Sequence, residues 1–388
     1  MKTAIWLYLF LFVAFFDLHA QYPILTPFAI SIGAAPSFIG LMMGIYSITH
    51  LPGNVIAGIG VDRYGSRLFI VFSLLAAGII LLFQAYVTNP WQLLVLRSLS
   101  GFVLAFLSPA CLALLARLTD SITEQGKLMA GNGLVHTLAS VVSPAAGAYL
   151  VARIGFSTAF TLLGWVLIVT AVCAIFFIRD TNASSAEPEQ PLHSEQQDQL
   201  AAPPAEATPI PWLIYSLPIG IACAQGILSF ELPLLAKTKE AMMTTGLLFS
   251  VVSIGALVTL SMMFLNRLPA YHRTLYGTFG LALLYFAIAT DFPLPLTALL
   301  FGIGMAKGVV LPALSTLLIE LSGGTRYGRT FSILSIAFSI GAFLGPTLAG
   351  QLRDHVSPYY IAFIALMLAV TLIPFHRTRT YSSSTHFS

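Results

Sequence analysis

Apolar residues run along the chain in long, nearly unbroken stretches, separated by short polar turns rather than alternating with polar positions. A transmembrane helix needs about 20 mainly apolar residues. Runs of that length predict spans at 4–28, 36–60, 67–88, 90–118, 127–152, 156–178, 210–235, 241–266, 271–290, 294–321, 328–353 and 358–376. Helices are expected because backbone inside lipid must satisfy its own hydrogen bonds. The runs are too long and continuous for barrel strands, which alternate over about 10 residues. The first run has a second reading: Lys2, an apolar stretch and then Leu18-His19-Ala20 before Gln21 resemble a cleavable secretory signal. A first span is favoured, because the apolar stretch resumes at Tyr22 and reaches spanning length.

The pattern breaks once. From Asp180 to Thr208 there are six acids, no Lys or Arg, and prolines at 188, 191, 203 and 204. Such a segment cannot bury a core and predicts a solvated linker. The expected organisation is a six-helix bundle at 1–178, a linker at 179–209, a second six-helix bundle at 210–377 and a tail at 378–388. The halves resemble each other. Ser143-Pro144-Ala145-Ala146-Gly147-Ala148 in the fifth span corresponds to Gly345-Pro346-Thr347-Leu348-Ala349-Gly350 in the eleventh at an offset of 202, and Gly126 maps to Gly328 at the same offset. Parallel duplication of this kind places a substrate site between two rocking halves.

Composition narrows the class. Of 388 residues 57% are hydrophobic and 9% charged, with mean hydropathy +0.88. Soluble domains carry about 25% charged residues, so a soluble enzyme, a disordered chain and a nucleic-acid binder are excluded. A net charge of +3 is too small to imply a polyanionic partner. Cys111, Cys173 and Cys223 lie inside apolar runs, with the spacing of neither a disulfide framework nor a metal site. Twelve Lys and Arg fall at span ends on the side of the N-terminus and four, Arg153, Lys237, Lys239 and Arg353, on the other. This bias predicts both termini and the linker on the cytoplasmic side of a cytoplasmic membrane.

After the second span the chain reads Gly58-Ile59-Gly60-Val61-Asp62-Arg63-Tyr64-Gly65-Ser66-Arg67. Glycine at 58 permits close helix approach, Gly65 a tight turn, and Asp62 an anion beside a helix N-terminus. The loop resembles the Gly-x-x-x-Asp-Arg-x-Gly-Arg/Lys-Arg/Lys signature of the major facilitator superfamily, matching at Gly58, Asp62, Arg63, Gly65 and Arg67 and departing at Ser66. The resemblance implies a twelve-helix, two-bundle transporter in which this loop latches the halves in the outward-open state. Arg97-Ser98-Leu99-Ser100-Gly101 resembles the family's Arg-x-x-Gln-Gly motif, whose arginine is associated with proton transfer, with Ser100 in place of Gln. Around Ser143, Pro144 and Gly147, and in better form around Gly345, Pro346 and Gly350, the chain is similar to the family's antiporter motif. Small residues four apart also serve generic tight packing.

Polar residues at membrane depth are expensive and mark function. Asp17 lies midway through the first span, where desolvation suits a proton-exchanging group. Gln21 shares its face; Asp17 and Gln21 are expected to face the cavity and His19 a neighbouring helix. Tyr46, His50 and Asn54 form one stripe at intervals of four, and Asn132, His136 and Ser140 another. Lys307 lies near the middle of the tenth span, suited to an anionic substrate or to pairing with Asp17 or Glu231, while Gln225 and Ser229 offer hydrogen bonds. The histidines have no metal-ligand spacing, and no nucleotide loop, nucleophile elbow or nucleophile–base pair is visible.

The expectation is therefore a monomeric, all-α transporter with no cofactor, partnered by a small molecule, protons and lipid. It would export a drug-like compound or a metabolite such as a metal chelator by proton antiport. Asp17 and Arg97 would couple the proton. Gln21, Tyr46, His50, Asn54, His136, Gln225 and Lys307 would line the cavity. Proton-coupled uptake is the first alternative, and a non-transporting sensor or assembly protein on the same scaffold the second.

Overall fold

Proline placement decides where the apolar runs bend. A proline removes one backbone donor and crowds the carbonyl four residues before it. Pro23 does this to His19, and the first span divides into α1 (Lys2–Ala20) and α2 (Tyr22–Ser31) with the break at Gln21. Pro109 does it to Ala105, and the fourth span divides into α5 (Pro90–Leu104) and α6 (Leu107–Ala116). The computed structural model describes residues 2–119, 121–178, 212–236, 238–322 and 327–373. The linker at 179–209 and the tail at 378–388 lie outside the described residues.

The other spans are α3 (Pro36–Tyr64), α4 (Ser66–Gln84), α7 (Ile122–Ile154) and α8 (Phe156–Phe177) in the first half. The second half holds α9 (Ser216–Leu234), α10 (Lys239–Ser261), α11 (Ala270–Ala289), α12 (Leu296–Leu321), α13 (Tyr327–Leu352) and α14 (Pro358–Thr371). The fold is all-helical, with twelve spans in two six-helix bundles. Nine described segments are long and apolar enough to cross a membrane on their own; α3, α11 and the shorter α14 complete the set. Two helix-to-helix turns are a single glycine each, Gly65 (φ +85°) and Gly155 (φ +80°), in a region L side chains rarely adopt.

Packing repeats between the halves. In the first, α1 lies on α7, α3 on α5 and α4 on α8; in the second, α9 lies on α13, α10 on α12 and α11 on α14. Across the halves, α3 packs on α13 and α10 on α7. These contacts depend on small residues, as expected where lipid competes with protein for apolar surface. Gly40 and Gly44 lie against Pro346, Phe343 and Thr347 of α13, and Gly246 lies against Pro144, Ala145 and Ala148 of α7. All of these belong to the end of the bundle opposite the N-terminus, where the halves are closed.

The end that carries the N-terminus is held together within the first half. Trp6 of α1 stacks on Phe177 of α8 with ring centroids 4.0 Å apart, and Arg67 donates to the Ile175 carbonyl at 2.5 Å. Between the halves this end is open. Gly58, Gly126 and Gly133 have free space where a Cβ would stand, and Val55, Ile59 and Leu134 are exposed. Gly58 was expected to bring helices close; among the described residues nothing lies within 4 Å of where its Cβ would stand.

Candidate functional site

The break after Ala20 turns Gln21 inward, where it meets two charged groups from different helices. Its amide nitrogen donates to both carboxylate oxygens of Asp17, each at 3.0 Å. Its carbonyl accepts from Arg97 Nη1 of α5 at 2.8 Å. The amide is thereby oriented, oxygen toward the cation and nitrogen toward the anion. Asp17 and Gln21 are 2% exposed and Arg97 5%, so the cluster is kept from the outer surface of the bundle. The Arg97 guanidinium also lies over the Tyr46 ring, 4.6 Å from its centroid. Such a contact gains strength when desolvated.

Three adjoining chambers lie between the halves. The central one, about 310 Å³, is lined by Gln21, Tyr22, Tyr46 and Arg97 from the first half and by Gln225, Ser229 and Lys307 from the second, with Leu18, Ile221 and Phe338 among its apolar walls. A second, of about 340 Å³, continues past Tyr22, Gln225 and Lys307 to His19, His136 and Ser140. A third, of about 480 Å³, leads from Tyr46 and Phe338 past His50 and Asn54 toward Leu334 and Phe331.

The second half contributes its own polar cluster. Lys307 Nζ of α12 donates to Gln225 Oε1 of α9 at 2.5 Å, and Gln225 Nε2 donates to Ser229 Oγ at 3.3 Å. Lys307 pairs with neither Asp17 nor Glu231. Glu231 is engaged by Arg353 at 3.8 Å, toward the closed end. His50 and Asn54 bond to each other at 2.9 Å on α3.

Several expected placements differ. Asp17 does not line a chamber; it stands behind Gln21, which does. His19, expected to face a neighbouring helix, lines the second chamber, its ring 5.2 Å from that of His136. The reason is that α1 and the start of α2 border the gap over a broad arc, so that Leu18, His19, Gln21 and Tyr22 all reach a chamber. His19 Nδ1 is held at 2.7 Å from the Phe15 carbonyl, one turn back.

Gly65 makes the turn in the signature loop, Arg63 lies over the Tyr64 ring at 5.4 Å, and the Asp62 side chain is outside the described groups. In the packing motifs, the Ser143 hydroxyl bonds to the Ala139 carbonyl, Gly147 lies on Ala20 of α1, Gly345 on Cys223 of α9, Pro346 on Gly226 and Gly350 on Pro36. Tyr22 and Phe338 line the central chamber without having been singled out. Phe338, Ala342 and Pro346 repeat at intervals of four on α13, the same signal that Tyr46, His50 and Asn54 give on α3.

This arrangement matches known proteins along nearly the whole chain. The family model for the Major Facilitator Superfamily matches residues 7–290 and 274–387. A solved structure of a bacterial homolog of the human lysosomal transporter Spinster, inward-facing and unoccupied, superposes with TM-score 0.71 at 16% identity, covering 95% of this chain and 93% of that one. The multi-drug resistance efflux pump PmrA of Streptococcus pneumoniae is 26% identical over 86% of this chain and 83% of its own. The multidrug resistance protein MdtG of Escherichia coli is 27% identical over 80% of this chain and 77% of its own. The chain belongs to the major facilitator superfamily and is a multi-pass membrane transporter of small molecules rather than an enzyme.

Proposed function

We propose that this transporter exports a small organic molecule across the cytoplasmic membrane in exchange for protons, as a single chain with both termini on the cytoplasmic side. The buried Asp17–Gln21–Arg97 chain carries this reading. It joins a carboxylate that water does not reach to a cation on the chamber wall through one oriented amide. Protonating Asp17 turns one carboxylate oxygen from acceptor to donor. Gln21 then has one acceptor too few and must reorient, which alters its bond to Arg97. A proton is thus linked to the wall of the substrate chamber.

The gap open at the N-terminal end is then the cytoplasmic entrance. The signature loop around Asp62 and Arg63 and the linker at 179–209 lie on that side, between bundles at 1–178 and 210–377. Gly58, with no neighbour, fits a latch that is released in this state and engages when the halves close there. A relative named as a multi-drug resistance efflux pump supports the direction, and the charge bias at the helix ends supports the orientation. No cofactor is needed when the proton gradient drives transport.

The test is to compare the small molecules retained by cells with and without the protein. The flux of whichever compound accumulates in its absence is then measured in oriented vesicles under an imposed pH gradient. Movement opposite to the protons is expected; movement with them overturns export.

A further inference from the structure

Resting on the exporter reading, in which the central chambers are the substrate path, we infer that the transported molecule is an organic anion. Its acidic group sits between Arg97 and Lys307, one from each half. The first observation is the charge carried by the walls. The residues that line the three chambers include Arg97 and Lys307, and the imidazoles of His19, His50 and His136, but no Asp or Glu. The two carboxylates nearest in depth are withdrawn. Asp17 is covered by Gln21, which occupies both its oxygens, and Glu231 faces Arg353 toward the closed end.

The second observation is unspent donor capacity. An ammonium has three donors and a guanidinium five. Among the described residues Lys307 makes one hydrogen bond, to the neutral Gln225 amide. Arg97 makes one, to the neutral Gln21 amide, and its Nε is buried without a partner. Lys307, in a low-dielectric enclosure with only an amide oxygen for company, is under-compensated; Arg97 has the more distant Asp17 charge behind Gln21 and the Tyr46 ring beneath it, and still has donors to spare. Both line the same 310 Å³ chamber. A carboxylate entering it supplies the missing acceptors and the missing countercharge together, whereas a cation meets two like charges and no acid.

The third observation is the remainder of the wall. Leu18, Leu25, Ile221 and Phe338 are apolar, and the rings of Tyr22 and Tyr46 flank Arg97's side. The chamber therefore suits an acid attached to an apolar or aromatic body. An acid of that kind bridges the halves, and its binding favours the closure that precedes release on the far side.

Three probes of one shape and different charge test this: radiolabelled indole-3-acetate, tryptamine and neutral indole-3-ethanol. Their binding to the purified full-length protein is measured without a gradient. The acid should bind about tenfold or more tighter than the amine. Lys307→Gln should erase that preference and Lys307→Arg preserve it, with melting temperatures reporting that both variants are folded. Tighter binding of tryptamine, equal binding of all three, binding of none, or a preference unchanged in folded Lys307→Gln would each overturn the assignment. Binding is independent of direction, so the two readings separate. Preference for the acid with flux along the proton gradient removes export and keeps the substrate class; counter-gradient export with no preference for the acid does the reverse.

Discussion

The amide nitrogen of Gln21 lies 3.0 Å from each carboxylate oxygen of Asp17, one helical turn away, and no other side chain donates to that carboxylate among the described residues. On the proposed mechanism, Asp17 changes protonation without touching substrate. Asp17→Asn keeps the size and removes the charge. Flux driven by a pH gradient should fall about tenfold or more. Exchange of substrate in the absence of a gradient should stay within about twofold, because the chamber wall is formed by Gln21 and Arg97 rather than by Asp17. Counterflow in proteoliposomes separates the two. Equal loss of both would make Asp17 a structural acid.

Much of this site could be read from the chain alone. Asp17, Gln21 and Arg97 stood out because a charged side chain in an apolar run has few affordable environments. Intervals of four placed Tyr46, His50 and Asn54 on one face, and they line one chamber. What the pattern did not reveal was which side of α1 faces the gap. A residue's angular position is fixed by the helix, but the width of the cavity beside it is set by helices far away in sequence. His19 therefore reached a chamber and Asp17 did not. Gly58 likewise has a sequence meaning, close packing, that is not met among the described residues of this structure.

Gly246 corresponds to Gly44, 202 residues earlier, and each lies on the other half at the closed end. A Cβ at 246 would overlap the Pro144 carbonyl and the Ala148 methyl. Gly246→Val should oppose closure at this end by about 1–3 kcal/mol, the usual range for overpacking. That is enough to shift the conformational equilibrium roughly 5- to 150-fold. Spin labels at Arg153 and Thr238, exposed near this end on the two halves, should report a longer separation in the variant. An unchanged distance distribution would mean that α7 and α10 do not part during the cycle.

Gly65 and Gly155 share one backbone conformation (φ +85° and ψ 160°; φ +80° and ψ 169°) and lie at opposite ends of the bundle. Alanine at either should cost about 1–3 kcal/mol from strain, lowering the melting temperature by ~2–6 °C. Only Gly65 belongs to the signature loop. Gly65→Ala should therefore also reduce transport, while Gly155→Ala leaves transport per folded molecule near that of the parent. Equal transport defects would assign the effect to the strained turn and not to the loop's gating role.

Arg97 has a ring beneath it as well as an amide in front of it, and the two can be tested separately. Tyr46→Phe removes a hydroxyl but leaves the face of the ring, 4.6 Å from the guanidinium carbon. Tyr46→Leu removes the face. A desolvated cation–π contact is worth about 0.5–2 kcal/mol, so gradient-driven flux should fall roughly 2- to 30-fold in Tyr46→Leu and stay close to the parent value in Tyr46→Phe. The logic is positional: without the ring, Arg97 has only the Gln21 bond to hold it, and the link from Asp17 to the chamber wall loosens. Should Tyr46→Phe lose as much as Tyr46→Leu, the hydroxyl facing the chamber is the working part, and Tyr46 contacts substrate rather than positioning Arg97.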